Sequence, residues 1–131
     1  MRLLGIDYGL KRVGLAISSE TDRFAYPYRV LVNNQHLVSE IAKICRQEGI
    51  GTIVLGESKD LSGKDNPIMK RLGVFKSELA TETGLAVEWE PEFFTTTAAE
   101  RLQGKTETID ASAAALILSS YLERQGNSKH G

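Results

Sequence analysis

Strand-like patterning of hydrophobic and polar residues dominates the first quarter of the chain. Three such runs follow one another, over Arg2–Tyr8, Arg12–Ser18 and Phe24–Val32. The first two are joined by the short Gly9-Leu10 link, which predicts an antiparallel hairpin. Pro27 within the third run predicts an edge strand or a β-bulge, because proline has no N–H to donate to a neighbouring strand.

Helical spacing of apolar residues begins after these runs and predicts a helix over Gln35–Glu48, which Gly49 ends. Thr52–Gly56 is a short apolar run, typical of a strand that is buried on both faces of a parallel sheet. The remaining segments are predicted as a polar loop at Glu57–Asn66, a helix at Pro67–Thr83, a strand at Leu85–Trp89, a helix at Thr95–Leu102, a loop at Gln103–Thr108, a helix at Asp110–Arg124 and a disordered tail at Gly126–Gly131.

The predicted order of elements, β-β-β-α-β-α-β-α-α, indicates an α/β fold. Three antiparallel strands that feed into βα units give a five-stranded mixed sheet with helices on both faces. The 131 residues suit a single domain with one hydrophobic core, which we expect to span residues 1–125.

Composition narrows the function classes. The net charge of −1 argues against a protein that coats DNA, so any contact with nucleic acid must use a local basic patch. Cys45 is the only cysteine, which excludes an intrachain disulfide and fits a reducing compartment. No apolar run is long enough to span a bilayer, and no signal-peptide pattern precedes the first strand. These features predict a cytoplasmic protein.

Candidate chemistry starts at Asp7, the acid at the end of the first strand. A buried carboxylate is costly unless it is paired, forms a turn or holds a cation. Gly5 and Gly9 on either side would let a phosphate or a metal approach the backbone. The alternative is that Asp7 only forms the turn before Tyr8 and Gly9.

A set of motifs spread along the chain points to one family. The motifs are Gly5–Gly9, Val13–Ala16, Ile53–Gly56, Glu92 ahead of Thr95–Thr96, Ala98–Arg101, and Ile109–Asp110 ahead of Ala113–Ala114. In this order and spacing they resemble the YqgF family, also called RuvX or pre-16S rRNA nuclease, which is related to the RuvC Holliday junction resolvases. The resemblance covers about Met1 to Arg124.

The resemblance implies a ribonuclease-H-like fold and hydrolysis of phosphodiester bonds in the 5′ region of precursor 16S rRNA. Carried over residue by residue, the family's acidic triad is Asp7, Glu92 and Asp110, as catalytic residues and metal ligands. A pair of Mg²⁺ or Mn²⁺ ions suits both the reaction and carboxylate ligands. His36 and His130 have no ligand-like neighbours, so a zinc site is disfavoured.

Two acids of this triad also fit roles that involve no metal. Asp110 is well placed to cap the last helix. Glu92 stands between Pro91 and Phe93, where the family has Asp and Arg, so it could be a solvated loop residue. Glu57 replaces the family's Leu at the end of the fourth strand, near a position where the RuvC resolvases keep a catalytic glutamate. It is therefore a further candidate metal ligand, or else a solvated loop acid.

Basic residues near the acids are candidates for nucleic-acid binding. Lys11 and Arg12 follow Asp7 in the hairpin, and Lys59 and Lys64 lie in the loop after the fourth strand. The cations of the second helix, Lys70, Arg71 and Lys76, are interpreted as a solvated helix face. Phe93 and Phe94 could stack on bases, although one of them is expected in the core, as is Trp89.

The expected partner is nucleic acid, with precursor rRNA favoured, and the expected state is a monomer or weak homodimer. Two alternatives remain: a resolvase-like DNase, and a non-catalytic RNA-binding factor in ribosome assembly, which the altered residues around Glu92 would favour. Actin-like ATPases and sugar kinases share this topology, but they carry a second copy of the domain, which this chain lacks.

Overall fold

The computed structural model describes residues 2–19, 24–57, 67–91 and 111–130. These form five strands and three helices, numbered here in chain order. The elements are β1 (Arg2–Tyr8), β2 (Arg12–Ser18), β3 (Ala25–Val32), α1 (Leu37–Glu48), β4 (Ile50–Glu57), α2 (Pro67–Thr83), β5 (Ala86–Pro91) and α3 (Ala111–His130). In the part of the chain that the structure describes, no helix is long and apolar enough to cross a membrane.

The strands form one mixed sheet in the order β3-β2-β1-β4-β5. β1, β2 and β3 pair antiparallel, whereas β4 and β5 run parallel to β1. The predicted hairpin and mixed sheet are therefore confirmed. β3 is an edge strand, and the β2–β3 register shifts between Leu15 and Ala16, where Pro27 is paired. Pro27 thus lies on an edge strand and at a register irregularity, the two positions that the sequence predicted as alternatives.

Helices cover both faces of the sheet, and each face has its own apolar layer. On one face, β1 and β4 contribute Leu4, Ile6, Ile53 and Leu55 to a core that α1 and α2 complete. On the other face, α3 packs Ala114, Ile117, Leu118 and Tyr121 against Ala16 and Val54. Residues of the two cores alternate along each strand because successive side chains point to opposite faces of the sheet.

Two glycines adapt the backbone to this packing. Gly49 ends α1 in the left-handed conformation, with φ of 67°, and its N–H donates to the carbonyl of Cys45. Gly5 faces α3 at very close range: a Cβ there would lie 2.8 Å from the Cβ of Leu118 and 3.0 Å from the carbonyl oxygen of Ala114. The glycine therefore sets how closely α3 approaches β1.

Three elements extend beyond their predicted ends. β4 begins at Ile50, which pairs with Arg2 of β1, and ends at Glu57, which pairs with Pro91, so β5 continues to Pro91. α3 runs to His130, past the predicted end at Arg124, so the expected disordered tail is helical up to His130. Gly126 weakens a helix without stopping it. The predicted helix at Thr95–Leu102 and the loop at Gln103–Thr108 lie outside the described residues.

Candidate functional site

Asp7 lies on the α3 face of β1, near the carboxyl end of the strand. Ile6, the residue before it, points into the α1–α2 core on the opposite face of the sheet. Gly5, two residues before Asp7, lies on the same face as Asp7 and contacts α3. Asp7 is only 3% exposed. Because β1, β4 and β5 are parallel, their carboxyl ends meet at the same edge of the sheet. In open α/β sheets this edge is where ligands bind.

Glycines occupy the strand positions on both sides of Asp7. On β2 its direct partner is Gly14. On β4 the pairing of Ile6 with Leu55 places Gly56 next to Asp7, one residue further in the same register. The flanking strands thus carry no side chains beside the carboxylate. The sequence motifs contain both glycines, but their position around Asp7 follows only from the strand register.

Glu90 continues this row of residues across the sheet. It pairs with Gly56 on β4 and shares the α3 face with Asp7. Two strand spacings separate its backbone from that of Asp7, roughly 10 Å. Glu90 is fully buried, and its Oε1 accepts a hydrogen bond from the guanidinium of Arg124 at 2.5 Å. Its Oε2 is also buried and accepts no hydrogen bond from a described residue. Sequence reasoning missed this acid because it was expected beyond the end of β5.

Glu57 lies at the same edge of the sheet as Asp7 but on the opposite face. Leu55, two residues earlier, belongs to the α1–α2 core, and Gly56 between them faces α3. Strand alternation therefore directs Glu57 towards the α1–α2 side. The structure brings Glu57 and Asp7 to one edge without placing their carboxylates on one face.

The other predicted site residues divide into two groups. Lys11 and Arg12 are exposed at the β1–β2 turn, next to the edge that carries Asp7. Glu92, Asp110, Lys59 and Lys64 lie outside the described residues, as do Phe93 and Phe94. Their order in the chain relates two of them to described elements. Glu92 follows Pro91, the last residue of β5, and Asp110 precedes Ala111, the first residue of α3.

The side chains around Asp7 suit a hard divalent cation. Carboxylate oxygens from Asp7 and Glu90 face the same side of the sheet, and the Oε2 of Glu90 still has acceptor capacity. Oxygen ligands of this kind are those that Mg²⁺ and Mn²⁺ prefer. Among residues 2–19, 24–57, 67–91 and 111–130, no group of three His, Cys, Asp or Glu side chains could hold a metal. A complete site thus needs acids from outside these ranges.

A second polar cluster ties α3 to β5 beside this row. The hydroxyl of Tyr121 donates to Oε2 of Glu88 at 2.7 Å. Burial of the ring raises the pKa of Tyr121 to about 12, and the hydrogen bond to Glu88 with its negative charge adds to the effect. Tyr121 and Arg124 lie one turn apart on α3 and contact alternate residues of β5, Glu88 and Glu90. Together they hold the helix over the row that contains Asp7.

Comparison with known proteins identifies relatives of the whole chain. "Putative pre-16S rRNA nuclease" is the name of two of them. The protein from Pelotomaculum thermopropionicum is 34% identical over 96% of this chain and 89% of its own length. The protein from Maridesulfovibrio salexigens is 32% identical over 95% of this chain and 99% of its own length.

Solved structures share the fold at low sequence identity. RuvC from Thermus thermophilus superposes with a TM-score of 0.66 at 13% identity, over 96% of this chain and 97% of RuvC. The fowlpox virus Holliday junction resolvase gives a TM-score of 0.56 at 15% identity, over 95% of this chain and 99% of that one. This confirms the predicted ribonuclease-H-like fold. Residues 1–124 match the family RuvX, described as Holliday junction resolvase. The chain belongs to the RuvX family.

Proposed function

We propose that this protein is a metal-dependent nuclease that hydrolyses phosphodiester bonds in nucleic acid, and that precursor 16S rRNA is its substrate. The observation that carries the proposal is the setting of Asp7 in a chain of the RuvX family. A carboxylate that is 3% exposed stands between two glycine positions, at the edge where three parallel strands end. A buried carboxylate needs compensation by hydrogen bonds, a counter-charge or a bound cation, and in a chain of this family we assign Asp7 to cation binding.

Asp7, Glu92 and Asp110 would hold the divalent cations in this proposal. When bound, such cations supply an activated water and neutralise charge on the leaving oxygen. The chain's own groups fix the geometry. Asp7 lies in β1, Glu92 follows the last residue of β5 in the chain, and Asp110 precedes the first residue of α3. The ties from Tyr121 and Arg124 to β5 keep α3 in register with that row.

Relatives that span nearly the whole chain favour RNA as the substrate, because their name describes a nuclease of pre-16S rRNA. That substrate implies a cytoplasmic protein. Lys11 and Arg12, exposed at the β1–β2 turn, are placed to contact phosphates that enter the site from the sheet edge. In this proposal the protein acts as a monomer or weak homodimer.

A second candidate function is resolution of branched DNA. Two observations favour it: the family is described as Holliday junction resolvase, and RuvC shares the fold. Cutting two strands symmetrically would require a stable twofold dimer. Oligomeric state and substrate preference therefore separate this candidate from the first.

The experiment compares the wild type with the isosteric Asp7→Asn variant on three labelled substrates: a precursor-like RNA with unpaired segments, a blunt RNA duplex and a four-way DNA junction. We expect Mg²⁺- or Mn²⁺-dependent cleavage of the RNA by the wild type. Asp7→Asn should lose at least about a hundredfold in rate, because metal ligands act as a unit. A matching circular dichroism spectrum shows that the variant is folded.

Three outcomes contradict the proposal in different ways. Preferential cleavage of the junction by a dimer supports the resolvase function. RNA binding without cleavage, equal in wild type and Asp7→Asn, supports a non-catalytic assembly factor. Cleavage that Asp7→Asn retains would show that the site lies elsewhere or that a contaminant is responsible.

A further inference from the structure

A groove between α1 and α2 lies on the other side of the sheet from Asp7. It has a volume of about 630 Å³, within the range of small-molecule binding sites. Its wall includes Tyr8, the residue that follows Asp7 along β1. Because neighbouring residues of a strand point to opposite faces, the groove and the acid site flank the same strand end.

The groove is built for a ligand with a flat apolar part and an anionic part. Tyr8 and Phe75 form its aromatic floor, with ring centroids 4.7 Å apart. Val74 on its rim is 60% exposed and adds apolar surface. Two exposed cations, Lys70 and Arg71, stand beside these apolar residues. Aromatic surface next to Lys and Arg is the combination that binds unpaired nucleotides.

The charges of α2 give the groove a direction. Lys70 and Arg71 lie close to the start of the helix, whose first turn contains no acid. Cations near a helix N-terminus oppose the macrodipole, so their presence costs stability and is locally unexpected. Further along α2, Glu78 lines the far part of the groove and, together with Glu82, borders the adjoining smaller pocket. The positive end of the groove is therefore the end next to Tyr8 and the sheet edge.

Hydrogen bonds fix the β1–β2 turn, which follows Tyr8 in the chain and borders this groove. The side chain of Asn33, a lining residue, donates to the carbonyl of Gly9 at 2.7 Å, and its backbone N–H donates to the carbonyl of Lys11 at 2.9 Å. The β1–β2 turn is thus fixed against the end of β3. Asn34 and Gln35, both exposed, continue the polar rim beyond it.

We propose that this groove binds an unpaired nucleotide of the substrate strand, next to the phosphodiester held at Asp7. The proposal rests on the proposed function, because it assumes that a nucleic-acid strand reaches Asp7. The strand must turn around the sheet edge over the β1–β2 turn, which a flexible single strand can do and a duplex cannot. Lys70 and Arg71 take the phosphate, and the Tyr8–Phe75 floor takes the base. The protein therefore requires an unpaired segment beside the cleavage position.

The test measures binding without requiring cleavage. Fluorescence anisotropy of a labelled octauridylate, its deoxy counterpart octathymidylate and a blunt RNA hairpin is followed over a range of salt concentrations, with Ca²⁺ in place of Mg²⁺. The variant Lys70→Gln/Arg71→Gln removes both groove cations. Its matched control is Lys43→Gln, which removes one exposed cation of α1 outside the groove. Val74→Trp places a large aromatic ring at the groove without changing charge.

We expect Lys70→Gln/Arg71→Gln to weaken single-strand binding and to reduce the slope of log affinity against log salt by about 1.4, the value for two lost phosphate contacts. Lys43→Gln should match the wild type. Val74→Trp should change single-strand affinity on the order of tenfold and leave hairpin binding unchanged, because the added ring competes with the base or stacks on it. Equal losses on octauridylate and octathymidylate assign the recognition to base and phosphate. A loss confined to octauridylate adds the ribose to the recognised unit.

Failure of this inference is distinguishable from failure of the proposed function. If the wild type cleaves RNA but the double variant binds single strands as Lys43→Gln does, the groove is not a nucleotide site and the nuclease proposal stands. If the double variant loses binding while the wild type cleaves nothing, the groove is confirmed and the nuclease proposal fails. A wild type without measurable affinity for either single strand overturns the groove.

Discussion

Asp7 illustrates how a single residue can be predicted while its surroundings cannot. The sequence places an acid at the end of an apolar strand and between glycines. The structure shows that the glycines beside its side chain are Gly14 on β2 and the Gly56 position on β4. Gly5, which is next but one in sequence, serves the contact with α3 instead. Strand register determines which residues surround a carboxylate, and the spacing of residues along one segment does not predict the register.

The two candidate glutamates, Glu57 and Glu92, differ in what a charge-deleting substitution should do. Glu57→Gln should keep metal-dependent cleavage within about threefold of the wild type, because strand alternation places Glu57 on the face opposite Asp7. Glu92→Gln should lose at least about a hundredfold if it ligates the metal. Both variants are measured side by side for RNA cleavage and for Mn²⁺ affinity. A dead Glu57→Gln beside an active Glu92→Gln would reverse the assignment.

Tyr121 provides a prediction on pH. Its pKa is raised by burial to about 12, against about 10 in an unfolded chain. The folded state therefore holds this proton more tightly. The stabilisation is complete below pH 10 and declines as the pH rises from 10 to 12. Tyr121→Phe lacks this titration.

Urea unfolding at pH 8 and at pH 11 tests this expectation. At pH 8 the variant should be less stable by about 0.5–1.5 kcal/mol, for the lost hydrogen bond to Glu88. At pH 11 the difference should shrink or change sign, since only the wild type loses stability when Tyr121 ionises in the unfolded chain. A difference that is constant over this pH range would show that the hydroxyl titrates equally in both states.

At the scale of elements, two glycine-to-alanine substitutions should change the free energy of unfolding in opposite directions, because one glycine lies in the contact between β1 and α3 and the other is exposed on α2. Gly5→Ala places a Cβ 2.8 Å from that of Leu118, and should cost about 1–3 kcal/mol by overpacking. Gly73→Ala, on the exposed surface of α2, meets nothing within 4 Å and should stabilise by about 0.5–1 kcal/mol. Equilibrium unfolding measures both. Equal effects of the two would mean that α3 relaxes away from the sheet.

Element order and type could be predicted from the sequence, whereas several element ends could not. Periodicity marks the five strands and the first two helices, and Pro27 marks the edge. The ends of β4 and β5 escaped because Glu57 and Pro91 read as loop residues, yet they pair with each other across two parallel strands. That pairing is a tertiary contact between segments more than thirty residues apart, and it extends both strands. The missed acid, Glu90, follows from the same error.

At the scale of the whole molecule, the groove between α1 and α2 shows what sequence patterns cannot reveal. The sequence pattern predicts a solvated helix face for Lys70 and Arg71, as is typical of exposed helix cations. The structure adds what lies opposite them: Tyr8 from β1 and Asn33 beyond β3. These segments meet only when the sheet and both helices are assembled. The sequence could therefore indicate the acid edge of the sheet but not the binding surface behind it.

Binding of Mg²⁺ should stabilise the whole fold, because the acids form a site only in the native state. At a Mg²⁺ concentration tenfold above Kd, the expected gain is about 1.4 kcal/mol, which raises Tm by roughly 4–6 °C for a domain of this size. Asp7→Asn removes a proposed ligand and should abolish most of the rise. KCl at matched ionic strength corrects for screening of surface charges. Equal Mg²⁺-dependent shifts in the wild type and in Asp7→Asn would place the cation away from Asp7 and remove the metal site from the proposed mechanism.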